Sequence, residues 1–288
     1  MELQQLKYFQ TIAKYENMTK ASKLLLVSQP ALSRTLRQLE NELGVKLFDR
    51  SGRNIRLNKY GKVFFEKIHS ALRSIEDGKR QITDMKEKEP QNIKLMVLSA
   101  SGLIPDLLSS FREIYPKVGF SLFQNENEYG SDDCDFSILS SYSDILNKFS
   151  IPLRTEEIYL GVPNNHPLSC KKSINLIEAK DEAFISLKPN KALRRITDIF
   201  CEYSGFIPNI VFESDEPSMV RGLIKAGLGV AFVPSISWTK LIGPSISLIH
   251  IDMPKCERTI YLTWKEEKYL TKSDYLFKSF AEKYFREL

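Results

Sequence analysis

NMTKASKLLLVSQPALSRTLRQLENELG, residues 17–44, is the stretch that decides how the chain begins to fold. Ala21, Leu24 and Leu25 form the apolar face of a short helix, with Thr19 placed to cap its start. Val27-Ser28 is a break. Ser28 then caps a second helix, and Pro30 is tolerated in its first turn because that turn has no N–H partner to lose. Leu32, Leu36, Leu39 and Leu43 follow at helical spacing, and Gly44 closes the helix in a left-handed conformation. Two short helices joined by a tight turn, the second capped at its start, make a helix-turn-helix. Upstream, Leu3, Leu6, Phe9, Ile12 and Ala13 mark a preceding amphipathic helix.

The solvent face of the second helix carries Gln29, Ser33, Arg34 and Arg37. These are donor-rich side chains of the kind that read base edges or phosphates in a major groove; Gln29 suits adenine and Arg34 suits guanine. Thr19, Ser28 and Pro30 complete the expected contact set on this motif. Residues 47–57 alternate apolar and polar around Ser51-Gly52 and read as a β-hairpin, with Phe48, Ile55 and Leu57 toward the core. Its tip places Arg53 for a minor groove, and Arg50 or Arg56 for phosphate. The charge agrees. Residues 1–90 hold 18 Lys/Arg against 11 Asp/Glu, whereas residues 91–288 hold 23 against 25, so the excess positive charge lies at one end.

After Asn58, the residues Phe64, Ile68, Ala71, Ile75, Gly78, Ile82 and Met85 step by four and three, a heptad seam. The seam reads as a dimerisation helix, the alternative being a helix packed on its own domain. A dimer would set two recognition helices on two half-sites, and the expected DNA site is an interrupted inverted repeat. Residues 86–92 are polar, contain Pro90 and read as a hinge.

From Ile93 onward strand and helix signals alternate. Strands are expected at 93–98, 119–123, 136–139, 158–162, 183–186, 210–213, 230–233 and 259–264, and helices at 103–115, 191–203, 216–226 and 274–285. The alternation predicts α/β layers with largely parallel sheets.

Leu6-Lys7-Tyr8-Phe9, Ala21, Ser28-Gln29-Pro30-Ala31-Leu32-Ser33 and the run from Leu39 to Arg50 together resemble the LysR-type transcriptional regulators. Tyr115-Pro116, Glu157 to Pro163, His166-Pro167-Leu168 and Gly227 to Pro234 are similar to the effector domain of that family. The resemblance implies an α+β multidomain chain: an N-terminal winged helix-turn-helix with a long linker helix, then a two-lobed α/β effector domain like a periplasmic binding protein. It implies an antiparallel pair of linker helices as well. The corresponding bounds are 1–58 for the DNA-binding domain, 59–87 for the dimerisation helix, 88–92 for the hinge and 93–288 for the effector domain. Lobe 1 is expected at about 93–160 plus 265–288, and lobe 2 at about 161–264. Ser22 and Asn58 stand where the family usually has Ala and Thr, and the stretch between Pro116 and Asp135 is short for a helix the family usually places there.

Ligands bind at the C-terminal ends of strands in such sheets. Ser99-Ala100-Ser101 ends the first strand and leads into a helix, where hydroxyls and free N–H groups suit a carboxylate or another oxygen-rich group, although the same serines could cap that helix. By resemblance Ser186 lies opposite, and Phe232 supplies an apolar wall. Lys188 and Arg194 add positive charge nearby.

Other chemistries find little support. Cys134, Cys170, Cys201 and Cys256 are scattered without metal-ligand spacing; a redox pair of Cys170 with Cys201 is a minor alternative. His69, His166 and His250 are too few and too dispersed for a catalytic centre, and no phosphate-binding loop or nucleophile elbow is present. No cofactor, metal, signal peptide or membrane span is expected. The reading is a cytoplasmic, ligand-responsive transcription factor binding double-stranded DNA, a homodimer or homotetramer, with a small-molecule effector, an anion among the candidates, and RNA polymerase as a further partner. Its rival is a solute-binding module whose N-terminus only dimerises.

Overall fold

The computed structural model describes residues 1–51, 54–86, 92–124, 134–145, 148–238, 243–266 and 268–288. The chain divides into two compact units, Met1–Glu87 and Lys88–Leu288.

The first unit is built on α1 (Leu3–Tyr15), α2 (Met18–Leu24) and α3 (Gln29–Leu43), a hairpin of β1 (Phe48–Ser51) and β2 (Asn54–Leu57), and a long α4 (Lys59–Met85). Phe9 is its centre, with Phe48 and Phe64 ring centroids at 5.6 and 5.1 Å. Ala21, Leu32 and Leu39 are fully buried beside it. The small Ala21 lets α2 approach its neighbours. Asn17, rather than Thr19, caps α2: the helix starts at Met18, so the Asn17 carboxamide is the oxygen that reaches the Lys20 N–H, at 2.9 Å. Thr19 stands exposed inside the first turn. Leu26 turns the chain with φ of 54°, and Gly44 closes α3 with φ of 71°.

Two contacts fix the hairpin to the helices. Buried Glu40 accepts the Leu47 N–H at 2.9 Å and pairs with Lys46 at 3.0 Å. Asn58 caps α4 by accepting from the Tyr60 and Gly61 N–H groups, and its amide donates to the Lys46 carbonyl at 2.8 Å. Along α4 the heptad seam is divided. Phe64 and Ile68 pack into the core of their own unit, because the first half of the helix lies across α1, whereas Ala71, Ile75, Ile82 and Met85 are exposed and Gly78 is half-buried.

The second unit has two cores. The first is framed by β3 (Asn92–Val97), α5 (Ile104–Ile114), β4 (Gly119–Phe123), β5 (Phe136–Ser141) and, from the end of the chain, α8 (Lys272–Glu287). Phe111 stands at its centre against Phe120, Phe277 and Phe280. The second core is framed by β6 (Ser150–Pro163), β7 (Ser173–Asn175), β8 (Ala183–Leu187), α6 (Ala192–Tyr203), β9 (Asn209–Ser214), α7 (Pro217–Lys225), β10 (Ala231–Pro234) and β11 (Ile246–Met253), while β12 (Glu257–Thr263) runs back to the first.

The sheet differs from the parallel expectation. Strand order is β4-β3-β5-β12-β6-β11-β7, with β10 also on β6. β3 is parallel to β4 and β5, β7 to β11, and β8 to β9, but β6 is antiparallel to β10, β11 and β12, and β12 to β5. The reason is β6 itself. At 14 residues it runs from one core into the other, and the returning strands can pair with it only antiparallel. The lobe limits shift accordingly: Ile158 and Leu160 belong to the second core, and Ile260 and Leu262 to the first. β7 and β11 add strands to those expected, and His250 lies within β11. The short segment between Pro116 and Asp135 includes residues 125–133, which lie outside the described residues.

Candidate nucleic-acid interface and ligand cleft

The first site begins with a cap. Ser28 Oγ accepts the Ala31 N–H at 3.4 Å, which starts α3 with Pro30 in its first turn. Gln29, Pro30, Arg34 and Arg37 are all exposed, and Pro30, Arg34 and Arg37 share the face opposite the stripe of Leu32, Leu36 and Leu39. Ser33 is half-buried, on the flank next to Leu32. Among the described residues neither Arg34 nor Arg37 has an ion-pair partner, so their guanidinium donors are open for an external acceptor. In the hairpin Arg50 pairs with Ile55 through the backbone, and Arg56 is exposed on β2. Arg53 lies outside the described residues.

The second site is a cleft of about 440 Å³ in the second unit. Ser99, Ala100 and Ser101 line it, with Ser140 and Gln124 from the same lobe. Across from them stand Asn190, Lys191, Arg195, Glu216 and Trp238. The serines do not cap a helix. Ser99 Oγ is 2.9 Å from Ser140 Oγ, and the helical turn that starts at Ser101 has no side-chain cap. Ala100 makes the turn with φ of 56°. The starts of α6 and α7, at Lys191 and Glu216, also lack side-chain caps, so three sets of first-turn N–H groups border one cavity.

Ser186 and Phe232 stand elsewhere. They line a small void of about 10 Å³ behind Leu187, Leu193 and Trp238, and Phe232 stacks on Phe184. They lie off the cleft because β8 is packed against α6 and α7, with Phe232 buried and Ser186 half-buried. The expected cations are spent internally. Lys188 pairs with Asp215 at 2.5 Å, a hydrogen bond that holds its ammonium above the ordinary value and the Asp215 carboxyl below its own. Arg194 pairs with Asp198 and Glu213 and donates to the Leu187 carbonyl. Lys191 and Arg195, which have no ion-pair partner among the described residues, are the cations left to the cleft.

The sequence reading missed the cleft floor. Arg258 is buried there, 2.8 Å from the buried Glu156 carboxylate. A lone Arg at the start of the strand pattern Thr259 to Thr263 was the available signal, since a charge on an otherwise buried strand needs a buried partner.

The remaining reactive groups are held in structural roles. Burial pushes the Cys201 and Cys256 thiols up to about 12, while Cys170 is exposed. His166 accepts the Leu168 N–H at Nδ1, which leaves Nε2 to donate to Glu182 at 3.2 Å. His250 contacts Glu157.

A donor-bearing helix exposed on a winged helix-turn-helix, in a chain that also carries a two-lobed cleft, defines a DNA-binding regulator with a sensory domain. Residues 3–62 match the model of the bacterial regulatory helix-turn-helix proteins of the lysR family, and residues 89–286 match the LysR substrate binding domain. The chain belongs to the LysR family of transcriptional regulators. It is 37% identical to the uncharacterised HTH-type transcriptional regulator YybE of Bacillus subtilis (strain 168) over the whole of both chains. It is 33% identical to the transcriptional dual regulator GltC of the same organism, over 100% of this chain and 99% of that one. Among solved structures, the full-length regulator CbnR complexed with its target DNA matches with a TM-score of 0.63 at 22% identity, over 98% of this chain and 99% of that one. No helix among the described residues is long and apolar enough to cross a membrane.

Proposed function

We propose that this LysR-type transcriptional regulator reads an interrupted inverted repeat as a dimer or tetramer, in response to a small anionic molecule held between its lobes. α3 enters the major groove with Gln29, Arg34 and Arg37, flanked by Thr19, Ser28, Pro30 and Ser33, and the hairpin carries Arg53 to the minor groove and Arg50 or Arg56 to phosphate. The single observation that carries this reading is the exposed face of α3, whose two guanidinium groups have no internal partner among the described residues. The exposed part of the α4 seam, Ala71, Ile75 and Ile82, supports pairing with a second copy. Phe64 and Ile68 act within their own unit and support the helix from beneath.

The cleft is assigned to an anion because uncapped first-turn N–H groups, Lys191 and Arg195 all border it. The protein catalyses nothing in this reading, works in the cytoplasm and acts on RNA polymerase through its position on the promoter.

A gel-shift series on the promoter beside its own gene tests the DNA reading. Arg34→Ala is expected to weaken binding by about 1–3 kcal/mol and to relax preference at one base pair. Arg37→Ala is expected to weaken binding to all sequences alike and to lower the salt slope by about one. Unchanged affinity in both variants would leave the first unit as a dimerisation device only.

A further inference from the structure

The two lobes are joined by few segments, and those segments meet at one buried polar cluster. β6 passes from the first core at Leu153 to the second at Ile158, and Glu156 lies between them. β12 returns from Cys256 in the second core to Ile260 in the first, and Arg258 lies between those. The turn after β10 touches both lobes, with Ile236 on the first core and Trp238 in the second, and Ser237 lies between them.

These three residues bond to one another. Arg258 Nε and Nη2 reach Glu156 Oε1 at 2.9 and 2.8 Å. Nη2 also donates to Ser237 Oγ at 3.0 Å. Glu156 Oε2 accepts the Ile236 and Ser237 N–H groups at 3.0 and 2.9 Å, and the Ser237 hydroxyl donates to Oε1 at 2.9 Å. The remaining guanidinium arm, Nη1, leaves the junction and donates to Ser140 Oγ at 3.3 Å, and Ser140 contacts Ser99 on the cleft wall. Arg258 and Glu156 are 3% and 0% exposed through their side chains.

We propose that the Arg258–Glu156 pair is a hinge pin: a positioning element that sets the angle between the lobes and connects that angle to the cleft wall through Ser140 and Ser99. A buried ion pair is a poor source of net stability, because desolvation offsets the attraction, but its bonds hold only at one geometry. An apolar junction at the same place would fix no direction, and it would leave the Ile236 and Ser237 N–H groups without an acceptor. The fork of an arginine is needed, since one cation must serve Glu156, Ser237 and Ser140 in fixed directions; a lysine keeps the charge and loses the fork. This inference rests on the two-lobed reading of the domain and on no particular ligand.

The test measures lobe geometry in the full-length protein without added ligand. Spin labels are placed at Arg112→Cys in the first lobe and Lys225→Cys in the second, with Cys170→Ser as background, and the distance distribution is read by pulsed electron resonance. With the doubly labelled chain diluted into excess unlabelled chain, so that only distances within one chain are read, the parent is expected to give one narrow distribution. Arg258→Met combined with Glu156→Leu leaves the Ile236 and Ser237 N–H groups without their acceptor; it is expected to melt below the parent and to broaden the distribution about twofold or more. Arg258→Lys is expected to broaden it as well, and so is Ser237→Ala, which leaves the ion pair in place and keeps the test open if the double variant does not fold. An unchanged narrow distribution in the folded variants would overturn the proposal. Failure of the anion reading would appear separately, as absence of saturable binding when citrate is titrated into the parent, with the distributions above unaffected.

Discussion

Glycine to alanine on α4 is expected to have opposite signs at Gly61 and at Gly78, and the structure makes the difference quantitative. A Cβ added at Gly61 would sit 2.0 Å from the Leu47 carbonyl oxygen and 2.7 Å from Leu57 Cδ2, whereas at Gly78 it would meet nothing within 4 Å. Restoring ordinary contact at Gly61 requires the hairpin to move by about 1.4 Å, from 2.0 to 3.4 Å. The Leu47 oxygen also accepts the Asn58 N–H at 3.1 Å, so the movement weakens that bond. Overpacking costs about 1–3 kcal/mol, a strained backbone hydrogen bond about 0.5–1.5 kcal/mol, and the better helix propensity of Ala returns about 1 kcal/mol. Gly61→Ala is therefore expected to destabilise the first unit by roughly 1–3 kcal/mol, and Gly78→Ala to stabilise its helix by up to about 1 kcal/mol. Hydrogen exchange of amides in residues 3–57, at fixed protein concentration, reads the first unit by itself. If the hairpin contacts DNA as proposed, Gly61→Ala should also weaken DNA binding. Equal protection in parent and Gly61→Ala would refute the packing of the hairpin on α4. A loss of dimer in Gly78→Ala, in place of a gain in stability, would show that Gly78 is the point of contact with the second chain.

Ser28→Ala removes the cap of α3 and should cost about 1 kcal/mol, read as a lower first melting transition with proportionately weaker DNA binding. Asn58→Ala removes an acceptor shared by two N–H groups and a donor to Lys46, and should cost about 1–2 kcal/mol, read by exchange at Tyr60 and Gly61. In a thiol titration at pH 8 the native protein should show Cys170 reacting fast and the buried Cys134, Cys201 and Cys256 slowly, with all four fast after denaturation. The Cys201 and Cys256 thiols make stability fall with alkali. Their folded values, about 12, stand above the ordinary value of 9.0, so the unfolded state loses protons first. Stability is intact below about pH 9 and declines as pH rises toward 12; a flat alkaline profile would contradict their burial.

The first unit was legible from residue order because its signals are local. Leucine spacing, a capping Ser28 and a closing Gly44 act within one or two helical turns, and they specify α3 and its exposed Arg34 and Arg37 without reference to the rest of the chain. The cap of α2 marks the limit of local signals: Asn17 and Thr19 are both good caps, and only the helix start at Met18 chooses between them. The heptad seam was legible as a period, but a period does not say what it packs against. Phe64 and Ile68 face inward because α1 lies across them, a contact some 55 residues distant in sequence, between Phe9 and Phe64.

In the second unit, residue order was enough to specify most of the succession of strands and helices, though not β7 or β11, and the serines that follow β3. Long-range packing settled the antiparallel centre of the sheet, the burial of Phe232 and the placing of Ser186 off the cleft, and the pairing of Lys188 and Arg194 with nearby carboxylates. It also settled the meeting of Glu156, Ser237 and Arg258, which are about 80 and 20 residues apart and carry no shared pattern. The physical reason is range. Propensity and periodicity act through neighbouring backbone groups, whereas strand pairing, burial and the partner of a charge depend on which distant segments the fold brings together.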